Sequence, residues 1–72
     1  MIVIKYKYFR KCDRTWQHRT KLCRHVNEAY GFCLSIKKSK DSYVEGWACD
    51  DPADNEWLWQ HISLSEINRK EV

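Results

Sequence analysis

A chain of 72 residues holds at most one domain and buries only about 60–65% of the surface that its unfolded form exposes, so its stability margin is narrow. Ten aromatic residues partly offset this, and with 43% hydrophobic and 32% charged residues the composition is that of a globular chain and excludes intrinsic disorder. Lys5 interrupts the apolar Met-Ile-Val-Ile opening, so the reading predicts neither a signal peptide nor a membrane span and places the protein in the cytoplasm.

The net charge of +3 conceals a polarity along the chain. Up to Lys40, eleven Lys and Arg stand against Asp13 and Glu28, a balance of +9; from Asp41 onward, Arg69 and Lys70 stand against eight acids, a balance of −6. Such asymmetry marks a nucleic-acid face, an acidic interaction face, or two halves that neutralise each other on folding.

In chain order, Ile2–Arg10 alternates Ile4, Tyr6 and Tyr8 against Lys5 and Lys7, the period of a strand with one wet face. Residues 11–15 read as a connection. Trp16–Tyr30 carries two periods at once. Trp16, Thr20, Cys23, Val26 and Tyr30 recur at helical steps, whereas Trp16, His18, Thr20 and Leu22 alternate as a strand would. Gly31, at the position of a left-handed C-cap, favours the helix. Phe32–Lys38 alternates again and predicts a strand that pairs as a hairpin with Tyr43–Cys49 across the turn at residues 39–42, with a bulge or close backbone approach at Gly46.

The stretch Ser42–Leu64 holds three of the four tryptophans, the only proline and the densest acidic cluster, and the core is expected to form around it. Asp51 and Pro52 have the chemistry of a helix N-cap and first helical position. Trp57–Ile62 is read as a strand that follows. Ser63 and Glu66 fit a capping box for a short terminal helix running to about Lys70, with Glu66 and Lys70 paired across one turn. The fold expectation is one α+β domain over residues 1–72: a small antiparallel sheet of three to four strands, one packed helix and a short C-terminal helix. If residues 16–26 form a strand, the alternative is an all-β small barrel.

The segment YVEGWACDDPADNEWLWQHISLSEI (Tyr43–Ile67), about a third of the chain, resembles the last hairpin of small Sm- or SH3-like β-barrels of the WYL type. In that family an aromatic-rich strand precedes a turn and a strand ending in an apolar-x-Leu-x-x-Ile pattern. Ile62, Leu64 and Ile67 match the pattern, and Tyr43 and Trp47 resemble the aromatic strand. Arginines on the family's closing strand, implicated in ligand or nucleic-acid contact, correspond here to Gln60, Ser63 and Glu66. The resemblance therefore implies an architecture and no site.

Catalysis is not expected. Gly31 and Gly46 are the only glycines, which leaves no phosphate-cradling loop, and a pair such as Cys23 and His25 lacks an orienting third group. Cys12, His18, Cys23 and His25 lie near one another in sequence but without the short pair spacings of structural zinc sites, and the four cysteines read as free thiols and not as a disulfide framework. Neither metal nor cofactor is expected. Asp50, Asp51, Asp54 and Glu56 lack the spacing of a calcium loop and read as a solvated acidic turn.

Two binding readings remain. The first is a protein-binding inhibitor or antagonist of the phage or mobile-element type, blocking a host complex that handles nucleic acid or serves defence. Its contact residues would be Trp47, Asp50, Asp51, Asp54, Trp57 and Trp59, since Trp dominates interface hot spots. The alternative is a single-strand nucleic-acid module built on Lys5, Lys7, Arg10, Lys11, Arg14, Arg19, Lys21 and Arg24, interleaved with Tyr6, Tyr8, Phe9 and Trp16.

Overall fold

The computed structural model describes residues 1–70. In order, the elements are β1 (Ile2–Arg10), β2 (Thr15–Cys23), α1 (Val26–Lys38), β3 (Ser42–Cys49), α2 (Pro52–His61) and α3 (Leu64–Ile67). The architecture is α+β, with an open antiparallel sheet of order β2-β1-β3. β1 is the central strand, as its β-branched and aromatic alternation suits. It pairs with β2 from Ile2 opposite Cys23 to Arg10 opposite Thr15, and with β3 from Ile2 opposite Cys49 to Tyr8 opposite Ser42.

Ile2 and Ile4 are fully buried on one face of β1, and Cys23 and Val44 join them from the flanking strands. Ala29, Cys33 and Ile36 of α1, Leu58 of α2, then Ile62 and Ile67 close this core from above. Each fully buried Ile or Leu contributes about 1.5–3 kcal/mol relative to exposure. All the helical material lies on this side, so the opposite sheet face stays uncovered.

Several expectations are corrected. Residues 16–23 form a strand and not the start of a helix, because a turn at residues 11–14 folds β2 back along the whole of β1. That turn contains no glycine, and Arg14 adopts the left-handed φ of 56°, so the usual hairpin signature is missing. Phe32–Lys38 is helical and makes no hairpin with β3. Val26, Ala29, Cys33 and Ile36 recur at steps of three and four and place small thiol and methyl groups against the sheet, whereas Leu34, inward in the strand reading, is 36% exposed. Gly31 therefore lies inside α1 and not at its C-cap, with no positive φ.

A further correction concerns Trp57–Ile62. The helix that Asp51 and Pro52 start runs on through His61, with the Asp51 carboxylate accepting from the Ala53 amide at 2.9 Å. Leu58 and Ile62, four residues apart, then share the buried side. The segment where the barrel resemblance implies a closing strand is helical. α3 is shorter than expected and lacks the capping box; the Ser63 hydroxyl meets that of Ser65 at 2.9 Å. Lys70 does not pair with Glu66 but donates to the Ile36 carbonyl at 2.8 Å, across to the end of α1.

The Gly46 expectation resolves as a bulge. Lys5 pairs with Gly46 while Tyr6 pairs with Val44, which leaves Glu45 as the extra residue of β3. A Cβ at Gly46 would meet nothing within 4 Å, so no backbone approaches there. Among the described residues no helix is long and apolar enough to cross a membrane.

Candidate functional site

Strand parity builds the site. With Ile2, Ile4 and Tyr6 turned to the core, Lys5, Lys7 and Phe9 turn to the helix-free face. The register then sets Trp16 opposite Phe9, His18 opposite Lys7 and Thr20 opposite Lys5 on β2, with Tyr43 opposite Lys7 on β3. Three rings from three strands form a row: Phe9 and Trp16 have centroids 5.3 Å apart, and Trp16 and Tyr43 5.7 Å. The Lys7 ammonium lies 4.9 Å from the Trp16 ring and 5.8 Å from the Tyr43 ring, within cation–π range of both. Trp16 remains 45% exposed. Beside the row, His18 Nδ1 and Glu45 Oε1 stand 2.8 Å apart, a bridge over β1 that the bulge makes reachable.

The eight basic residues of the nucleic-acid reading do not share one face. Lys5 and Lys7 lie beside the aromatic row. Arg10, Lys11 and Arg14 cluster at the hairpin tip, Arg19 and Lys21 point to the other side of edge strand β2 and are exposed, and Arg24 sits ahead of α1. Tyr6 faces the core, with its ring 5.1 Å from Phe32 in an edge-on contact. Of the eight cations only Arg10, with Asp13 at 3.3 Å, and Lys11, with Asp41 at 3.7 Å, form salt bridges among the described residues. Among the described residues Lys11–Asp41 is thus the one Lys/Arg salt bridge that joins the two halves, and most cations of the hairpin have no carboxylate in salt-bridge contact.

The acidic-tryptophan residues divide as well. Trp47 and Trp59 pack in a tilted contact, with centroids 4.6 Å apart and ring planes at 50°, and Trp59 is 55% exposed. Trp47 Nε1 is buried without a hydrogen-bond partner. Trp57 points elsewhere, stacked on the His61 ring at 4.0 Å and edge-on to Tyr30 at 6.1 Å. Helical geometry separates the two indoles, since alternate residues lie about 200° apart around the axis. Asp50 meets the N-terminal ammonium at 3.6 Å, Asp51 caps α2 and Asp54 sits in its first turn, so each acid has a structural task.

All four cysteines are free. Burial, and less so the neighbouring Cys23 thiol, pushes Cys33 up to about 11. Burial also raises Cys23, as it does Cys49. These are properties of core thiols, opposite to those of a nucleophile. Among the described residues no three His, Cys, Asp or Glu side chains gather where they could hold a metal ion.

Phe9 and Trp16 are recognisable in the sequence as rings of the basic-aromatic run, whereas Tyr43 as their neighbour is not. Only the register of β3 on β1 brings it there, and periodicity within a strand carries no register. No protein-family model, no curated protein and no solved structure matches this chain.

Proposed function

We propose that this protein is a non-catalytic, cytoplasmic binding module that takes single-stranded nucleic acid on its helix-free sheet face. The observation that carries the reading is the row Phe9–Trp16–Tyr43 with Lys7 among its rings, on a sheet face that no helix covers. Aromatic side chains present faces on which bases stack irrespective of sequence, worth about 1–3 kcal/mol per base. The unpaired cations of the same hairpin supply the phosphate-neutralising charge. A free-thiol, reducing setting fits the four unpaired cysteines.

The test is a titration of tryptophan fluorescence with single- and double-stranded oligonucleotides at low and moderate salt, on the native chain and on Trp16→Ala. Saturable quenching by single strands that weakens steeply with salt, and is lost in Trp16→Ala, supports the reading. Absence of any response at low salt removes it.

A second reading rests on a separate observation, the 55%-exposed Trp59 packed at a tilt against Trp47 beside Asp50, Asp51 and Asp54. A large exposed indole over a partly buried one has the make-up of a protein hot spot. It supports an antagonist that docks a host protein through this corner. Capture of a host protein that Trp59→Ala abolishes, in a chain that does not bind oligonucleotides, would favour it.

A further inference from the structure

A cleft of about 660 Å³ opens between the end of α1 and the segment after α3. Lys37, Lys38, Lys40, Arg69 and Lys70 line it against a single acid, Glu66. Lys37 and Lys38 complement the carbonyl end of α1, but that explanation does not reach Lys40, beyond the helix, or Arg69 and Lys70, which arrive from another part of the chain. None of these five cations forms a salt bridge with a described carboxylate. Five like charges drawn together with one acid among them oppose folding, and a bound polyanion removes that opposition.

The cleft also touches the aromatic row. Lys70, one of its walls, holds its ammonium 4.8 Å from the Tyr43 ring, the last ring of the row, while bonded to the Ile36 carbonyl. Tyr43 is thereby flanked by Lys7 on the sheet face and by Lys70 at the cleft. The two surfaces meet around the outer edge of β3.

We infer that the cleft is the second half of one track: a single strand stacked on Phe9, Trp16 and Tyr43 turns around the β3 edge and lays its following phosphates among Lys37, Lys38, Lys40 and Arg69. This rests on the reading of the sheet face as a single-strand site. It adds a path and a division of labour, with rings holding bases on one side and cations holding backbone on the other.

The test uses the full chain and the variant Lys37→Gln/Lys38→Gln/Lys40→Gln, whose three positions are exposed and whose fold is checked by thermal melting. Oligothymidylates and oligouridylates of increasing length are titrated over a range of salt. The expected result is a log–log salt slope for long oligomers smaller by up to about 2, since each phosphate contact on a single strand contributes about 0.7. Quenching by the shortest oligomers stays as in the native chain, and the affinity gained with length disappears. An unchanged slope and length dependence in a folded variant overturns the track while leaving the sheet-face reading intact. If the native chain binds no oligomer, both are lost together.

Discussion

Asn68 reads the backbone of Val44. Its side-chain oxygen accepts from the Val44 amide and its side-chain nitrogen donates to the Val44 carbonyl, both at 2.8 Å. One amide side chain thus does at the edge of β3 what a further strand would do, and it does so beside the Glu45 bulge. Asn68→Ala leaves both partly buried groups of Val44 without partners. The expected cost is about 1–3 kcal/mol in urea unfolding, with faster amide exchange along β3. A cost within about 0.5 kcal/mol, as for an ordinary surface site, would show that water replaces Asn68 freely.

Gly31→Ala distinguishes the helix found here from the C-cap that the sequence suggests. An added Cβ meets nothing within 4 Å and the backbone φ is not positive. Alanine in a helix interior is favoured over glycine, so the substitution should stabilise by about 0.5–1 kcal/mol. At a left-handed cap it would destabilise instead. The sign of the shift in denaturation midpoint decides between the two.

The thiols should separate by reactivity. Exposed Cys12 is alkylated first by iodoacetamide under native conditions, and fully buried Cys33 reacts on the timescale of unfolding, as site-resolved mass spectrometry would show. The Cys33 shift also has a consequence for stability. An unfolded thiol releases its proton from about its ordinary 9.0 upward, whereas the folded one holds it to about 11. The neutral thiol's contribution is therefore full below pH 9 and declines as pH rises toward 11. The variant Cys33→Ala should lose less stability across that interval than the native chain; an identical decline would sink the assignment.

Two tryptophans should part function from fold. Trp16 and Trp59 are both substantially exposed, so alanine at either position should leave the melting transition within a few degrees of the native value, in keeping with a cost below about 1 kcal/mol. Oligonucleotide quenching is expected to vanish with Trp16→Ala and to persist with Trp59→Ala. Reversed behaviour would move the binding surface to the Trp47–Trp59 corner.

The fold class was legible because Ile2–Arg10 alternates cleanly, Tyr43–Cys49 is rich in aromatic and apolar residues after a turn, and Asp51-Pro52 marks a helix start. The middle of the chain was not, for a physical reason. Residues 16–30 satisfy two periods at once, and the partner that selects the strand is β1, reached through a turn whose left-handed residue is Arg14 and not glycine. Gly31 misled because it sits within a helix whose buried positions on either side of it are Ala29 and Cys33, small residues that weigh little in a hydrophobic pattern, with Ile36 the only large one. The tryptophans of α2 misled in the same way. Leu58 alone is buried there, while Trp57 and Trp59 take different surroundings. Of the candidate site, the individual rings and cations could be named in advance; their assembly depends on inter-strand register, which a single sequence does not encode locally.

The two margins of the sheet are guarded differently. β3 is shut by a side chain, Asn68, whereas no described side chain caps the outer margin of β2. What stands there is a file of exposed cations, Arg19 and Lys21 with His18 alongside. Two such margins brought together antiparallel would place like charges against like, so copies of this protein repel where they are most adhesive. That guard is colloidal and therefore conditional. As ionic strength rises from about 0.1 M to 1 M the reach of those charges shrinks from about 10 Å to 3 Å, and the molecule's tendency to associate edge to edge grows with salt, the reverse of its tendency to hold a polyanion.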